Sequence, residues 1–139
     1  MDIGPLEQRV GYLVRRAQVT VFQRFFESFA ATGVRPAQYS VLTVIERNPG
    51  LSQTRLAAAL GIKKTNLVAL IDELEKRALA RRMSAAHDRR SHALFLTPKG
   101  KALMTRLHQL DEALNRRLAQ ALGNDHRQLC EALRRIAAL

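Results

Sequence analysis

The sequence predicts a mainly α-helical fold with one small β-hairpin and long helices at both ends. Apolar residues recur at steps of three and four over most of the 139 residues, which is the period of one helix face. Segment 80–97 departs from that period, because two short apolar stretches flank a polar, basic loop, as in a hairpin. Turn signals at Gly33, 48–50 and 123–125 separate the helical segments.

The first two helices are delimited by glycine and proline. An apolar stripe from Leu6 to Phe29 predicts one long helix, and Gly33 ends it. Pro36 begins the second helix, since proline is well accommodated at a first helical position. The Asn-Pro-Gly turn at 48–50 stops this helix.

Two short helices with a tight turn are predicted between Ser52 and Ala78. Ser52 is predicted as the N-cap of the first. Ala57 is small where two helices must approach closely, and Gly61 follows four residues later, where glycine favours a left-handed turn. This pattern predicts a helix-turn-helix; the alternative is an ordinary helical hairpin within a core.

The second helix of this pair has an apolar face for the core and an opposite face, with Thr65, Val68, Ala69 and Asp72, for a major groove. Thr65 suits a base edge or a phosphate, Asn66 suits adenine, and Val68 and Ala69 suit thymine methyl groups. Lysines at both helix ends, together with Arg77, are predicted to contact phosphates. Asp72 either accepts from cytosine or orients a neighbouring cation. The predicted recognition residues are Lys63, Lys64, Thr65, Asn66, Val68, Ala69 and Lys76.

The loop of the predicted hairpin contains Asp88, Arg89 and Arg90. Two arginines on a projecting hairpin suit a narrow minor groove, where negative potential is concentrated. Asp88 is predicted to hold the Arg90 guanidinium in place. The alternative is a solvated charged turn.

The positive charge is concentrated in the same region. The formal net charge is +11, and residues 52–101 hold eleven basic and four acidic residues, a net +7. Such an excess of positive charge indicates a polyanionic partner. Because the charge is concentrated on the helix-turn-helix and the hairpin, duplex DNA is favoured over a membrane surface or an acidic protein.

Two further helices are predicted after the hairpin. Thr97 and Pro98 begin a long helix, the turn 123–125 breaks it, and a last helix follows. The outer helices carry wide apolar stripes that a small domain does not cover, so we expect a homodimer; the alternative is a monomer whose outer helices pack only on each other. The expected organisation is a winged helix-turn-helix region at 36–97 and N- and C-terminal dimerisation helices at 1–35 and 98–139.

The order of these elements resembles the MarR family of winged helix-turn-helix transcription regulators over essentially the whole chain. The most specific matches are 88–90 (Asp-Arg-Arg) and 96–100 (Leu-Thr-Pro-Lys-Gly). The resemblance implies a homodimer that binds palindromic operators, usually as a repressor, and that a small ligand releases. Two positions depart from the family: Ala69 replaces a frequent basic or polar reader, and Ala78 replaces a frequent helix-ending glycine.

In this family the effector cleft lies between the dimer helices and the DNA-binding lobe. A Phe-rich stripe suits a flat apolar ligand, and arginines beside it suit a carboxylate or the phosphates of an acyl-CoA. A Phe stripe at helical spacing also suits a dimer core. The candidate effector residues are Arg15, Arg16, Phe22, Phe25, Phe26, Phe29, Tyr39, Met104 and His108.

Other functions find less support in the sequence. No catalytic or metal-binding motif is present, so we expect no enzyme activity, no cofactor and no metal. The absence of an apolar span or signal peptide predicts a cytoplasmic protein. Cys130, the single cysteine, is expected to be buried and inert. The alternatives left open are a redox-responsive regulator that uses Cys130 and a non-specific architectural DNA-binding protein without an effector.

Overall fold

The computed structural model describes the backbone of residues 1–85 and 88–139 and the side chains of residues 1–84 and 92–139. The chain forms six α-helices and a three-stranded sheet within these ranges. The helices are α1 (Val10–Phe29), α2 (Pro36–Arg47), α3 (Gln53–Leu60), α4 (Lys64–Lys76), α5 (Pro98–Leu122) and α6 (His126–Ala137). The strands are β1 (Leu51–Ser52), β2 (Ala80–Ala85) and β3 (Asp88–Leu96). The predicted fold class is therefore confirmed.

The N-terminal region differs from the single long helix that the apolar stripe predicts. A short 3-10 helix at Gly4–Gln8 precedes α1, and Arg9 between them has an extended backbone. Leu6 therefore lies outside α1. A second 3-10 turn, Ala30–Thr32, prolongs α1, and Gly33 ends it with φ 66°, in the left-handed region.

The helix-turn-helix begins and turns where the sequence predicts. The Ser52 hydroxyl accepts a hydrogen bond from the Arg55 backbone amide at 3.2 Å and so caps α3. Gly61 ends α3 with φ 63°. Ala57 and Leu56 are buried, so α3 packs closely under α4.

The sheet contains one strand more than the predicted hairpin. β3 is central and pairs antiparallel with β2 on one side and β1 on the other. In β1, Leu51 is opposite Leu94 and Ser52 is opposite Ala93. This short strand attaches the start of α3 to the base of the hairpin.

The connection from α4 to β2 is tight. Helix α4 ends at Lys76, two residues before the predicted end, and Ala78 has φ 57°. The Thr97 hydroxyl donates to the Ala78 carbonyl at 2.6 Å and accepts from the Gly100 amide at 2.9 Å, which caps α5. Leu79 lies directly against Gly100.

One core joins most of these elements. Its largest fully buried side chains come from α1, α2, α3, α4, α5, β3 and the α4–β2 connection: Phe29, Val41, Leu42, Ile45, Leu56, Leu67, Ile71, Leu74, Leu79, Leu94, Met104 and Leu107. Helix α6 contributes no buried residue. In the described part of the chain, no helix is both long and apolar enough to cross a membrane.

Candidate nucleic-acid interface and effector region

Helix α4 presents the two faces that the sequence predicts. Leu67, Ile71 and Leu74 are buried against the core. The opposite side is open to solvent, so the structure leaves available all the recognition residues named from the sequence: Lys63, Lys64, Thr65, Asn66, Val68, Ala69 and Lys76. We call these exposed side chains together the reading face.

Asp72 lies at the edge of the reading face, and its partner is within the protein. The Arg82 guanidinium of β2 donates to Asp72 Oδ1 at 2.8 Å and to Glu75 Oε1 at 2.6 Å. Of the two roles left open for Asp72, the observed one is an ion pair with a neighbouring cation. The sequence does not single out Arg82, because it is one of five arginines within residues 77–90.

Arg77 does not occupy the position of a phosphate contact, and that prediction is wrong. Its Nη2 donates to the Thr32 carbonyl at 2.7 Å and its Nη1 donates to the Gly33 carbonyl at 3.2 Å. Glu73 also points to this side of α4, where Arg35 and Gln38 donate to it at 2.5 Å and 2.9 Å. These contacts join α4 to the junction between α1 and α2.

The prediction for the hairpin tip concerns residues that the structure does not describe in full. Residue His87 and the side chains of Asp88, Arg89 and Arg90 lie outside the described residues. The minor-groove role of the two arginines therefore stays a prediction. The strands that lead to the tip are described, and β2 and β3 form the expected antiparallel pair.

The predicted effector residues divide into three groups. Phe25, Phe29 and Met104 are buried in the core, and the Phe25 and Phe29 rings stack with centroids 3.8 Å apart. Phe22 and Phe26 are exposed on α1. Arg15 and Arg16 are also exposed there.

The third group, Tyr39 and His108, belongs to a polar network between α2 and α5. The Tyr39 hydroxyl donates to Asp111 Oδ2 at 3.1 Å and lies 3.1 Å from His108 Nδ1. His108 Nε2 lies 2.6 Å from Glu46 Oε2. The two carboxylates were missed in the sequence, although Asp111 follows His108 by one helical turn and Glu46 shares a face of α2 with Tyr39.

The surroundings of Tyr39 favour its neutral form. Burial, followed by the negative charge of Asp111, raises the pKa of the Tyr39 phenol to about 12. Its ring also packs edge-on against Phe29, with centroids 5.5 Å apart. A neutral phenol beside an aromatic cluster is suited to donate a hydrogen bond rather than to carry charge.

An apolar groove runs between α1 and α6. Its volume is about 480 Å³. The lining consists almost wholly of hydrocarbon: Val10, Leu13, Val14, Ala17, Gln18, Val21, Phe22, Leu129 and Leu133. The sequence predicted these stripes, and the groove shows that neither helix covers the other within one chain.

Cys130 is half-buried on α6, not buried as the sequence suggests. Its Sγ lies 3.9 Å from His126 Nε2, one turn earlier. The described residues contain no cluster of three or more His, Cys, Asp or Glu side chains that could hold a metal ion.

A helix-turn-helix with an exposed second helix, followed by an antiparallel hairpin and flanked by long helices, defines the winged helix-turn-helix class of transcription regulators. A family model described as the MarR family matches residues 32–91. The solved structures with which the chain aligns over its full length include repressors of this class, and the chain belongs to the MarR family.

Two solved structures and one curated relative illustrate the match. The transcriptional repressor CouR bound to a 23-mer DNA duplex is 39% identical, with TM-score 0.91 over 100% of this chain and 99% of that chain. The same repressor bound to p-coumaroyl-CoA is 39% identical, with TM-score 0.91 over 99% of this chain and 97% of that chain. A candidate transcriptional regulatory protein for the hcr operon of Thauera aromatica is 34% identical over 85% of this chain and 74% of its own length.

Proposed function

We propose that this protein is a homodimeric repressor that binds a palindromic operator in duplex DNA and is released by an aromatic acyl-CoA. The observation that carries the proposal is the reading face of α4, exposed over its whole length and backed by three fully buried side chains. The similarity to CouR, solved with DNA and with p-coumaroyl-CoA, supports both parts.

DNA binding is supported by what the reading face presents. Lys63 and Lys64 precede it and suit two phosphates, which position the protein without selecting a sequence. Thr65, Asn66 and Val68 follow within the next turn, where the N-terminal part of a recognition helix reaches base edges. Arg89 and Arg90 of the β2–β3 hairpin are proposed to enter the adjacent minor groove.

Homodimerisation through 1–35 and 98–139 is supported by the uncovered groove. A groove with an almost purely hydrocarbon lining on two outer helices is the kind of surface that obligate interfaces bury. Two copies joined there would present two reading faces, and half-sites one turn of DNA apart require such a pair. The region 36–97 would then act as the DNA-binding unit.

The effector is proposed to bind between the outer helices and the DNA-binding region. Phe26 and the edge of Tyr39 offer aromatic surface to a flat acyl group, and exposed Arg15 and Arg16 offer cations to phosphates. Phe22 lies between the two proposed sites, because it also lines the groove assigned to the dimer. Phe25, Phe29 and Met104 would support this wall from behind, because they are buried in the core.

The DNA-binding proposal is tested by fluorescence anisotropy with duplexes from the region upstream of the gene itself. A repressor prefers one palindrome over random DNA by about 10³-fold or more. Equal affinity for all duplexes would instead indicate an architectural DNA-binding protein.

The effector is tested on the preformed complex by adding p-coumaroyl-CoA, with free coenzyme A and p-coumarate as controls. Release by the thioester alone is expected, since the acyl ring and the phosphates contact different surfaces. No release by any of a panel of aromatic acyl-CoAs would contradict this part of the proposal.

The dimer is tested by light scattering on Leu133→Glu, with Val68→Glu as the matched control. Leu133 and Val68 are equally exposed, at 41% and 40%, but only Leu133 lines the groove. Leu133→Glu is expected to be monomeric and Val68→Glu dimeric. Two dimeric variants would place the interface elsewhere.

A further inference from the structure

The guanidinium of Arg82 donates hydrogen bonds to four groups of the protein. Besides its bonds to Asp72 and Glu75, it donates from Nε to Gln53 Oε1 at 2.5 Å and from Nη2 to the Val68 carbonyl at 3.2 Å. The partners lie on α3 and α4, whereas Arg82 itself lies on β2. Gln53 and the Val68 carbonyl thus fix the guanidinium in the orientation that faces both carboxylates.

The carboxylates of Asp72 and Glu75 lie where a negative charge would weaken DNA binding. Asp72 lies one turn beyond Val68, at the edge of the reading face, and its side chain is 50% exposed. Glu75 follows on the next turn and is 34% exposed. Without a counter-charge, both would repel the phosphates that the reading face must approach.

From this geometry we infer that Arg82 is a positioning residue for DNA recognition that acts through Asp72 and Glu75, cancelling their charge beside the reading face. The inference rests on the proposed function and adds a residue that is not itself required to touch DNA. The Arg82 side chain is only 21% exposed and is occupied by protein partners, which distinguishes it from a free phosphate contact.

The neighbouring arginine provides a matched control. Arg81 is the preceding residue of β2 and points to the other side of the strand, where its guanidinium lies over the Phe95 ring at 5.8 Å. It contributes the same formal charge to the chain. Loss of net charge alone would therefore affect Arg81→Gln and Arg82→Gln equally.

The experiment measures duplex affinity over a range of salt concentrations for the full-length protein and its variants. Arg82→Gln is expected to bind at least about tenfold more weakly than the wild type at low salt. The difference in affinity between Arg82→Gln and the wild type should become smaller as added salt screens the repulsion. Arg81→Gln should remain within about threefold of the wild type, as expected for an exposed surface charge.

A compensating variant tests the route by which Arg82 acts. Adding Asp72→Asn and Glu75→Gln to Arg82→Gln removes the uncovered charges, and affinity should return to within about threefold of the wild type, since no like-charge repulsion is left. Asp72→Asn with Glu75→Gln in the presence of Arg82 should bind at least as tightly as the wild type. This last variant keeps the test valid if Arg82→Gln does not fold, which thermal unfolding will reveal.

Two results would overturn the inference. One is an Arg82→Gln variant that binds as well as Arg81→Gln. The other is a triple variant that still binds DNA weakly and whose plot of log affinity against log salt concentration is less steep by about one. That result would identify Arg82 as a direct phosphate contact. Failure of the proposed function is distinguished at the first step, since the wild type would then bind no duplex selectively.

Discussion

The carbonyl oxygen of Leu79 lies 2.1 Å from the position that a Cβ atom on Gly100 would occupy. This approach brings the start of α5 against the connection that leads from α4 to β2, so Gly100 of α5 and Leu79 of that connection meet backbone to backbone. Even one methyl group at position 100 would force the two elements apart.

Gly100→Ala is therefore expected to lower the free energy of unfolding by more than about 2 kcal/mol, as overpacking against backbone does. Urea unfolding measures the change. Gly11→Ala is the control, because a Cβ on Gly11 meets nothing within 4 Å, and alanine is the better helix former. Equal stability of the Gly100→Ala and Gly11→Ala variants would contradict the close approach.

Ala78→Gly is expected to stabilise the protein. Ala78 has φ 57°, where a side chain is strained and glycine is not, so the gain should be about 0.5–1 kcal/mol. The reciprocal change, Gly61→Ala at φ 63° with open space around it, should lower the free energy of unfolding by a similar amount. Thermal unfolding of both variants checks the prediction, and a destabilised Ala78→Gly variant would refute it.

Val68 and Lys64 are expected to affect DNA binding in different ways. Val68→Ser should change which operator variants are preferred, because an apolar contact to a thymine methyl group is lost. Lys64→Ala should weaken binding to all duplexes by a similar factor and reduce the salt slope by about one. Competition with a set of single-base operator variants separates the two effects. If Val68→Ser lowered the affinity for all operator variants equally, Val68 would contact the DNA backbone rather than a base.

Tyr39 should make stability fall with rising pH in the alkaline range. Its pKa is raised from 10.0 to about 12 in the folded protein, so the folded state retains the phenol proton that the unfolded state loses first. The contribution is complete below pH 10 and is lost as pH rises towards about 12.

The measurement uses Tyr12→Phe, which leaves Tyr39 as the single remaining tyrosine of the original two. Phenolate absorbance of the folded variant should appear at higher pH than that of the same variant in urea. Coincident titrations would show that burial and Asp111 do not stabilise the neutral phenol.

The helices and their ends follow from local signals, and these were predictable. Gly33, Pro36, Ser52 and Gly61 each act on the backbone within a turn of their own position, so the sequence order carries the information. The break at Arg9 was not predictable from the apolar stripe, because the stripe continues across it. Strand β1 was missed as well, since two residues beside a helix cap show no alternation.

The partners of charged side chains were the least predictable part of the site. Arg77, Arg81 and Arg82 stand within six residues of one another, yet one binds helix-end carbonyls, one covers Phe95 and one neutralises two carboxylates. A basic stretch indicates a polyanionic partner but does not say which of its members face outward. That choice depends on contacts between residues far apart in the chain, such as Tyr39 and His108.

The bonds from Arg77 to the Thr32 and Gly33 carbonyls have a mechanical consequence. Arg77 is the residue that ends α4, and those two carbonyls close the helical segment that prolongs α1. One cation thus holds together the negative ends of two helix dipoles. In the proposed dimer, a rotation of α1 against the second copy would therefore also move the C-terminal end of α4 and change the distance between the two α4 helices.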